Sequence, residues 1–175
     1  ELLKTNWVNE GYQNKEHAQH MLKKGETLLK AYLKNVFDPK HLPLSLEFPF
    51  QFRMQNGTDT LKIAGKIDRV DGLGNGKIEI IDYKTGTNEP EEKELDTNLQ
   101  LTVYALAATE VQDTLLGKNA EDVVLSLYFL ESGKKFTTTR TAEQLAGAKK
   151  ELLTIAEKIA TSDFVCSGSS LCKNC

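Results

Sequence analysis

Long apolar runs and an excess of basic residues are both missing from this sequence of 175 residues. No stretch approaches the ~20 consecutive apolar residues that a membrane-spanning helix needs, and the amino terminus lacks the pattern of a secretion signal. The formal net charge of -3 argues against a basic protein that wraps around DNA, although it allows basic side chains to cluster locally. We therefore expect a cytoplasmic protein that has no contact with a membrane.

Cysteine is also scarce, and the three cysteines, Cys166, Cys172 and Cys175, all lie in the last ten residues. A structural zinc site or an iron–sulfur cluster usually requires four thiolates, so three do not complete either one. A disulfide is the alternative, but nothing in the sequence indicates an oxidising compartment. The chain begins at Glu1 instead of Met, and we interpret it as a piece of a longer protein.

The remaining composition is that of an ordinary globular protein, with 39% hydrophobic and 27% charged residues. A chain of this length can bury one full core, which predicts a single domain over residues 1–175. We expect three segments within it: an amino-terminal helical segment (1–43), a sheet core with a crossover helix (44–140), and a terminal helix with the cysteine tail (141–175).

Three stretches have the periodicity of helices with one apolar side. The first lies within residues 1–40 and is ended by Phe37-Asp38-Pro39, because proline cannot continue a helix. The second is predicted over Thr97–Glu110, and the third runs from the capping box Thr141–Gln144 to about Thr161. The packing stripes of the last two helices are predicted to be Leu99, Val103, Leu106 and Ala107, and Leu145, Ala148, Leu152, Ile155 and Ile159.

Five stretches have the character of strands. Alternating apolar residues from Leu44 to Phe52 mark the first, and Asn56-Gly57 is a strong hairpin signal after it. The fourth is almost entirely apolar, which predicts a strand covered on both faces. The acidic run Glu91–Glu94, by contrast, is expected to be a solvated loop. The predicted strands are Leu44–Gln55, Thr60–Val70, a stretch ending at Lys84, Val123–Leu130 and Lys135–Arg140.

The third strand begins apolar and ends in two charges. Side chains two apart on a strand point the same way, so Asp82 and Lys84 share the face of Ile80. Such a pair is costly to desolvate without a partner or a metal ion. A glycine-rich turn at 72–76 predicts a hairpin that brings Asp68 of the preceding strand near Asp82. Two carboxylates with water suit Mg2+, and Lys84 is placed to hold a water beside it.

Three motifs follow one another here: Gly65-Lys66-Ile67-Asp68-Arg69-Val70-Asp71, Ile80-Ile81-Asp82-Tyr83-Lys84-Thr85-Gly86 and Gln100-Leu101-Thr102-Val103-Tyr104. In this order they resemble the PD-(D/E)XK nuclease superfamily, and more closely the RecB-like (AddA/AddB-type) nuclease domains attached to bacterial helicases. A bare Asp-x-Lys would not be specific, since it occurs by chance in many proteins. The resemblance, over roughly residues 45–175, implies an α/β fold with a restriction-endonuclease-like core, a mixed sheet of four or five strands flanked by helices.

The resemblance also implies a metal site. Asp68 and Asp82 would hold one or two Mg2+ or Mn2+ ions, with the backbone carbonyl of Tyr83 as a further ligand. Lys84 would orient the attacking water or stabilise charge that develops on the phosphate. Glu47 on the first strand is a further candidate for the metal shell, and the alternative is that it simply lies on the solvent face.

Gln100 and Tyr104 complete the implied catalytic set, because they lie four apart on one face of a helix and would point at the active site. Relatives carry a metal-side His in a Gly-x-x-x-His setting, which none of the three histidines occupies. Many relatives also hold a [4Fe-4S] cluster, and Cys172 and Cys175 match its Cys-x-x-Cys part. Because the other ligands are missing, we expect a cluster only in the full-length protein and not in this chain.

The function implied is that of a Mg2+-dependent deoxyribonuclease, expected to be an exonuclease, within a bacterial helicase–nuclease of recombination and repair. Its substrates would be single- or double-stranded DNA ends, and its partner a helicase domain or subunit. The alternative is a catalytically inactive nuclease fold that binds DNA or acts as a scaffold. Intact Asp68, Asp82 and Lys84 favour the enzyme. A third option, a structural module built on the cysteine tail, would be recognised by bound zinc or iron.

Overall fold

The computed structural model describes residues 1–56, 59–165 and 168. They form a mixed five-stranded sheet flanked by helices, which confirms the predicted α/β class and strand number. The strands are β1 (Ser45–Asn56), β2 (Asp59–Gly74), β3 (Lys77–Lys84), β4 (Val123–Phe129) and β5 (Lys134–Thr138). The helices are α1 (Leu2–Thr5), α2 (Lys15–Asn35), α3 (Glu92–Asp96), α4 (Leu99–Glu110) and α5 (Ala142–Thr161). No helix in these ranges combines the length and apolar character needed to span a bilayer.

The strands lie in chain order, and all neighbours are antiparallel except β3 and β4, which run parallel. A parallel pair cannot be joined by a tight turn, so the connection that contains α4 carries the chain back across the sheet. In this pair Asp82 is level with Leu127 of β4. The centre of the sheet is buried on both faces, since six of the seven residues of β4 are buried.

The turn between β2 and β3 sets the positions of the two predicted metal-binding carboxylates. Gly74, Asn75 and Gly76 all have positive φ values, of 83°, 50° and 81°, a backbone region that glycine adopts without strain. The resulting antiparallel register pairs Arg69 with Ile81. One step further along the same register, Asp68 of β2 is level with Asp82 of β3.

The core lies between the sheet and α4. Some of the residues that were predicted to pack into it are exposed. Leu101 and Leu106 of α4 are fully buried, whereas Leu99, predicted to pack, is 55% exposed at the start of the helix. Because α4 is buried around most of its circumference, a single stripe does not describe it. The expected apolar face of β1 is buried at Phe50, whose ring packs edge-on against Tyr104 of α4, but Leu46 is exposed.

The terminal helix begins as predicted. The side chain of Thr141 accepts a hydrogen bond from the backbone N–H of Gln144, and the reciprocal bond completes the capping box. Leu145 in its first turns is buried, but Ile155 and Ile159 are exposed. The predicted stripe is therefore wrong at the end of α5, from Ile155 on, whereas Leu152 of the same stripe packs against the core.

Two further predictions need correction. A continuous helix over residues 1–40 is wrong for residues 6–14, which are not helical; α2 begins after Asn14, whose side chain accepts a hydrogen bond from the backbone N–H of His17. The acidic run is not a loop but forms most of α3. A capping box between Glu91 and Glu94 satisfies the first N–H groups of this short helix.

Candidate active site

Four predicted site residues, Asp82, Lys84, Gln100 and Tyr104, meet where the carboxyl end of β3 faces α4. Because side chains alternate along a strand, Asp82 and Lys84 lie on the same face of β3 as the buried Ile80. Helical spacing places Gln100 and Tyr104 one turn apart, so both side chains reach the same strand end. The cap of α4 fixes where this helix starts, because the Asn98 side chain accepts a hydrogen bond from the backbone N–H of Leu101.

Asp82 is the buried centre of the site, with only 4% of its surface exposed. Its Oδ1 accepts hydrogen bonds from the Tyr104 hydroxyl and from Gln100 Nε2, each at 2.9 Å. The Lys84 ammonium lies 2.7 Å from Oδ2 as its ion-pair partner, and this oxygen accepts no hydrogen bond from the described residues. A buried anionic oxygen is thus neutralised by charge alone and keeps its lone pairs available.

Gln100 holds the relative positions of the charged pair. Its Oε1 accepts a hydrogen bond from Lys84 Nζ at 2.6 Å, while its Nε2 donates to Asp82 and, at 3.1 Å, to the Tyr104 hydroxyl. The orientation of the side-chain amide is therefore determined by the ammonium on one side and the carboxylate on the other. The Lys84 side chain remains one-third exposed, so its ammonium can also be reached from solvent.

Tyr104 is a buried donor within this network. Its hydroxyl lies 2.9 Å from Asp82 Oδ1 and 3.2 Å from the carbonyl oxygen of Lys66, two acceptors that share its one hydrogen. Burial raises the pKa of the Tyr104 phenol, and the nearby negative charge of Asp82 raises it further. The hydroxyl consequently stays protonated throughout the neutral and moderately alkaline range, as a donor to the carboxylate must.

Asp68 lies on the neighbouring strand and is half-buried. Its Oδ2 accepts the backbone N–H of Tyr83 at 2.9 Å, which ties the carboxylate to the strand segment between Asp82 and Lys84. Its Oδ1 accepts no hydrogen bond within the described part of the chain. Each of the two aspartates therefore offers one oxygen that is not committed to a hydrogen bond.

Glu47 does not join this pair. Its side chain is 66% exposed and pairs with the Lys66 ammonium at 2.9 Å, and its φ of 51° interrupts the extended backbone of β1. Within residues 1–56, 59–165 and 168, no group of three or more His, Cys, Asp or Glu side chains is placed to hold a metal ion. Cys172 and Cys175 of the predicted cluster motif lie outside the described residues.

The two free carboxylate oxygens fit a divalent cation that keeps most of its water. Mg2+ is usually bound through one or two carboxylates, with water and substrate phosphate as its other ligands, so two aspartates suffice. The buried Asp82 Oδ2 without a hydrogen bond is the feature that a bound cation would satisfy. Lys84 is at present the cation beside this oxygen, so metal and ammonium would compete for it.

One group near the site was missed by sequence reasoning. On the opposite face of the sheet, the Tyr83 hydroxyl lies 2.7 Å from the Tyr32 hydroxyl, and Arg69 Nη1 donates to both. A cavity of about 540 Å3 opens beside these residues. Because Arg69 directly follows Asp68 on β2, it faces away from the carboxylates, and nothing in the sequence connected it with Tyr32.

The comparisons with known proteins bear on the fold. A sequence model described as the PD-(D/E)XK nuclease superfamily matches residues 1–175, whereas no curated protein matches the sequence significantly. A crystal structure named as a candidate exonuclease, from Eubacterium rectale, aligns with a TM-score of 0.54 at 11% identity, over 98% of this chain and 65% of that one. The crystal structure of SSO0001 aligns with a TM-score of 0.48 at 16% identity, over 82% of this chain and 62% of that one.

At these identities the structural likeness concerns the fold alone. The chain spans 65% and 62% of the lengths of the two solved proteins, so each of them has substantial parts without a counterpart here.

Proposed function

Because the chain belongs to the PD-(D/E)XK nuclease superfamily, we propose that it is a metal-dependent nuclease domain that hydrolyses phosphodiester bonds in DNA. The observation that carries the proposal is the buried Asp82 carboxylate, with one oxygen held by Tyr104 and Gln100 and the other without a hydrogen bond beside Lys84. A purely structural carboxylate would be expected to have both oxygens satisfied.

In the proposed mechanism Asp68 and Asp82 would hold Mg2+ or Mn2+, and the Tyr83 carbonyl would be a further ligand. The metal ion, when bound, polarises the phosphate and makes its bound water more acidic. Lys84 is one-third exposed and directed along the same face, so it can contact the attacking water or the phosphate oxygens and stabilise the charge that develops there.

Helix α4 supplies the two side chains that orient the charged groups of β3. Gln100 spans Lys84 and Asp82, and it keeps the ammonium within reach of the carboxylate before the substrate arrives. Tyr104 holds Asp82 Oδ1, which leaves Oδ2 as the oxygen that faces the cation. Such fixed donors and charges lower the barrier because little reorganisation is needed during the reaction.

We further propose the RecB-like assignment, with residues 1–175 as one nuclease domain of a bacterial cytoplasmic helicase–nuclease that acts on DNA ends. The three motifs that contain Asp68, Asp82 and Gln100 support it, as does a solved neighbour named as a candidate exonuclease. The helicase partner, Mg2+ as the physiological metal, exonuclease action, and a role in recombination and repair belong to this proposal.

A catalytically inactive DNA-binding or scaffolding domain is the second candidate. The exposed Glu47 and the absence of a third acidic ligand within the described ranges favour it, because a two-carboxylate site binds metal less strongly than a larger one.

The test is titration calorimetry of Mg2+ and Mn2+ into the purified chain, with cleavage assays on end-labelled single- and double-stranded DNA. We expect metal binding and cleavage in the wild type, and loss of both in Asp82→Asn, which keeps the shape of the side chain. Asp113→Asn, in an exposed loop, is the matched control. Metal binding without cleavage would favour the scaffold, and a folded protein that binds neither metal nor DNA would contradict both candidates.

A further inference from the structure

We propose that the hydroxyl and guanidinium groups of Tyr32, Arg69 and Tyr83, here called the back-face clamp, position the two metal-binding aspartates from the opposite side of the sheet. The inference rests on the proposed nuclease function and adds to it three positioning residues that do not touch substrate.

The clamp is a closed set of hydrogen bonds among its three members. The Tyr32 and Tyr83 hydroxyls lie 2.7 Å apart, and Arg69 Nη1 donates to them at 3.0 Å and 3.4 Å respectively. Arg69 is held in turn by Asp71, because its Nε donates to the two carboxylate oxygens at 2.8 Å and 3.0 Å. The Arg69 side chain is only 14% exposed, so its orientation is restricted by packing as well as by these bonds.

The clamp connects the strand positions from which the carboxylates project. Arg69 directly follows Asp68 on β2, and Tyr83 directly follows Asp82 on β3. Adjacent residues on a strand point to opposite faces, so a bond that joins Arg69 to Tyr83 behind the sheet restrains the two aspartates in front of it. The clamp therefore restrains both the separation of the aspartates and their relative direction.

Tyr83 also acts directly on the front face. Its backbone N–H donates to Asp68 Oδ2 at 2.9 Å, while its side chain is held by Tyr32 and Arg69 behind the sheet. Rotation of the Tyr83 peptide would move the Asp68 carboxylate and Asp82 together. Groups that orient metal ligands in this way affect metal affinity and activity without contacting the metal.

The third member of the clamp comes from a distant part of the chain. Tyr32 lies near the end of α2, a helix in which Ala18 is the only buried residue. The aromatic rings of Tyr32, Tyr83 and Tyr128 pack edge-on in all three pairs, at centroid distances of 5.6–5.9 Å. The cavity of about 540 Å3 beside them means that neighbouring side chains do not hold Tyr32 from every side, so its hydroxyl bonds matter for its position.

Tyr32→Phe is the informative variant, because it removes one hydroxyl far from the motifs and leaves the ring. We expect the Mn2+ dissociation constant, measured by calorimetry, to rise about tenfold. In the metal-free protein, exchange of the Tyr83 amide should become about tenfold faster, since its acceptor Asp68 is less well held. At saturating Mn2+ the KM for DNA should be unchanged. Tyr83→Phe should have the same effect, and the double variant should be no worse than either single one.

Tyr128→Phe is the matched control. Its ring belongs to the same cluster, but its hydroxyl forms no hydrogen bond with any residue in 1–56, 59–165 or 168. It should change metal affinity and amide exchange by less than about twofold. A Tyr32→Phe protein that is less heat-stable but keeps both values would show a purely structural cluster and overturn this inference alone. A wild type that binds no Mn2+ would overturn the proposed function and the clamp together.

Discussion

Lys84 Nζ lies 2.7 Å from Asp82 Oδ2, two residues away on the same strand, and this ion pair occupies the place where a metal ion is proposed to bind. The same ammonium donates a hydrogen bond to Gln100 Oε1 at 2.6 Å. It therefore keeps one partner when a metal cation displaces it from the carboxylate. In the metal-free site the charge of Asp82 is thus balanced by the residue that the proposed mechanism later directs at the phosphate.

Replacing Lys84 should separate metal binding from catalysis. In Lys84→Met the competing ammonium is gone, so we expect Mn2+ to bind at least as tightly as in the wild type. Single-turnover cleavage should fall about 100-fold, because charge on the phosphate loses a stabilising group. Calorimetry and quench-flow measurements check both, with Lys77→Met, at the exposed start of β3, as the control. Weaker metal binding would mean that Lys84 supports the metal site instead of competing with it.

Tyr104 should make stability depend on alkaline pH. Burial, followed by the charge of Asp82, raises the pKa of its phenol above the ordinary value of 10.0. The unfolded chain then loses this proton at lower pH than the folded one, so the free energy of unfolding should be constant below about pH 10 and fall above it. Urea titrations between about pH 8 and 11 measure this change. The fall should be smaller in Tyr104→Phe, and identical profiles would contradict the assignment.

Glu47→Gln should leave the metal site nearly unchanged. The side chain is exposed and paired with Lys66, so its loss removes only a surface ion pair. We expect the Mn2+ dissociation constant to change by less than about twofold. A tenfold increase in this dissociation constant, with unchanged stability, would instead place Glu47 in the metal shell, as the resemblance to the nuclease superfamily implies.

Arg140→Met should destabilise the fold without acting on the site chemistry. Arg140 is 3% exposed, and its guanidinium donates to the carbonyl oxygens of Leu95 and Thr139 and to the Thr102 hydroxyl. Removing it leaves the buried Leu95 carbonyl and the Thr102 hydroxyl without this donor, which should lower the free energy of unfolding by about 2–4 kcal/mol. Urea denaturation measures the change, with the exposed Arg53→Met as the control. A loss no larger than that of the control would show that water replaces the guanidinium.

The sequence contained most of the information on the site strand. Alternation predicted that Asp82 and Lys84 share a face, and the glycine-rich turn predicted the hairpin that brings Asp68 alongside. Both features are local, because covalent geometry sets the two-residue period of a strand and left-handed backbone favours glycine. Helical spacing likewise predicted that Gln100 and Tyr104 lie on one face. These residue roles remain predictions, although the structure brings the side chains together.

The sequence by itself determined the five strands, the shared face of Asp82 and Lys84 and the order of the motifs, since these depend on neighbours along the chain. Only the tertiary structure decided which faces are covered: it left Leu99 and Ile159 exposed, and it turned Glu47 towards Lys66. It also brought Tyr32 to Tyr83 across 51 positions of sequence. Burial and pairing of this kind depend on which sequence-distant element packs against a surface, and local periodicity does not determine that packing.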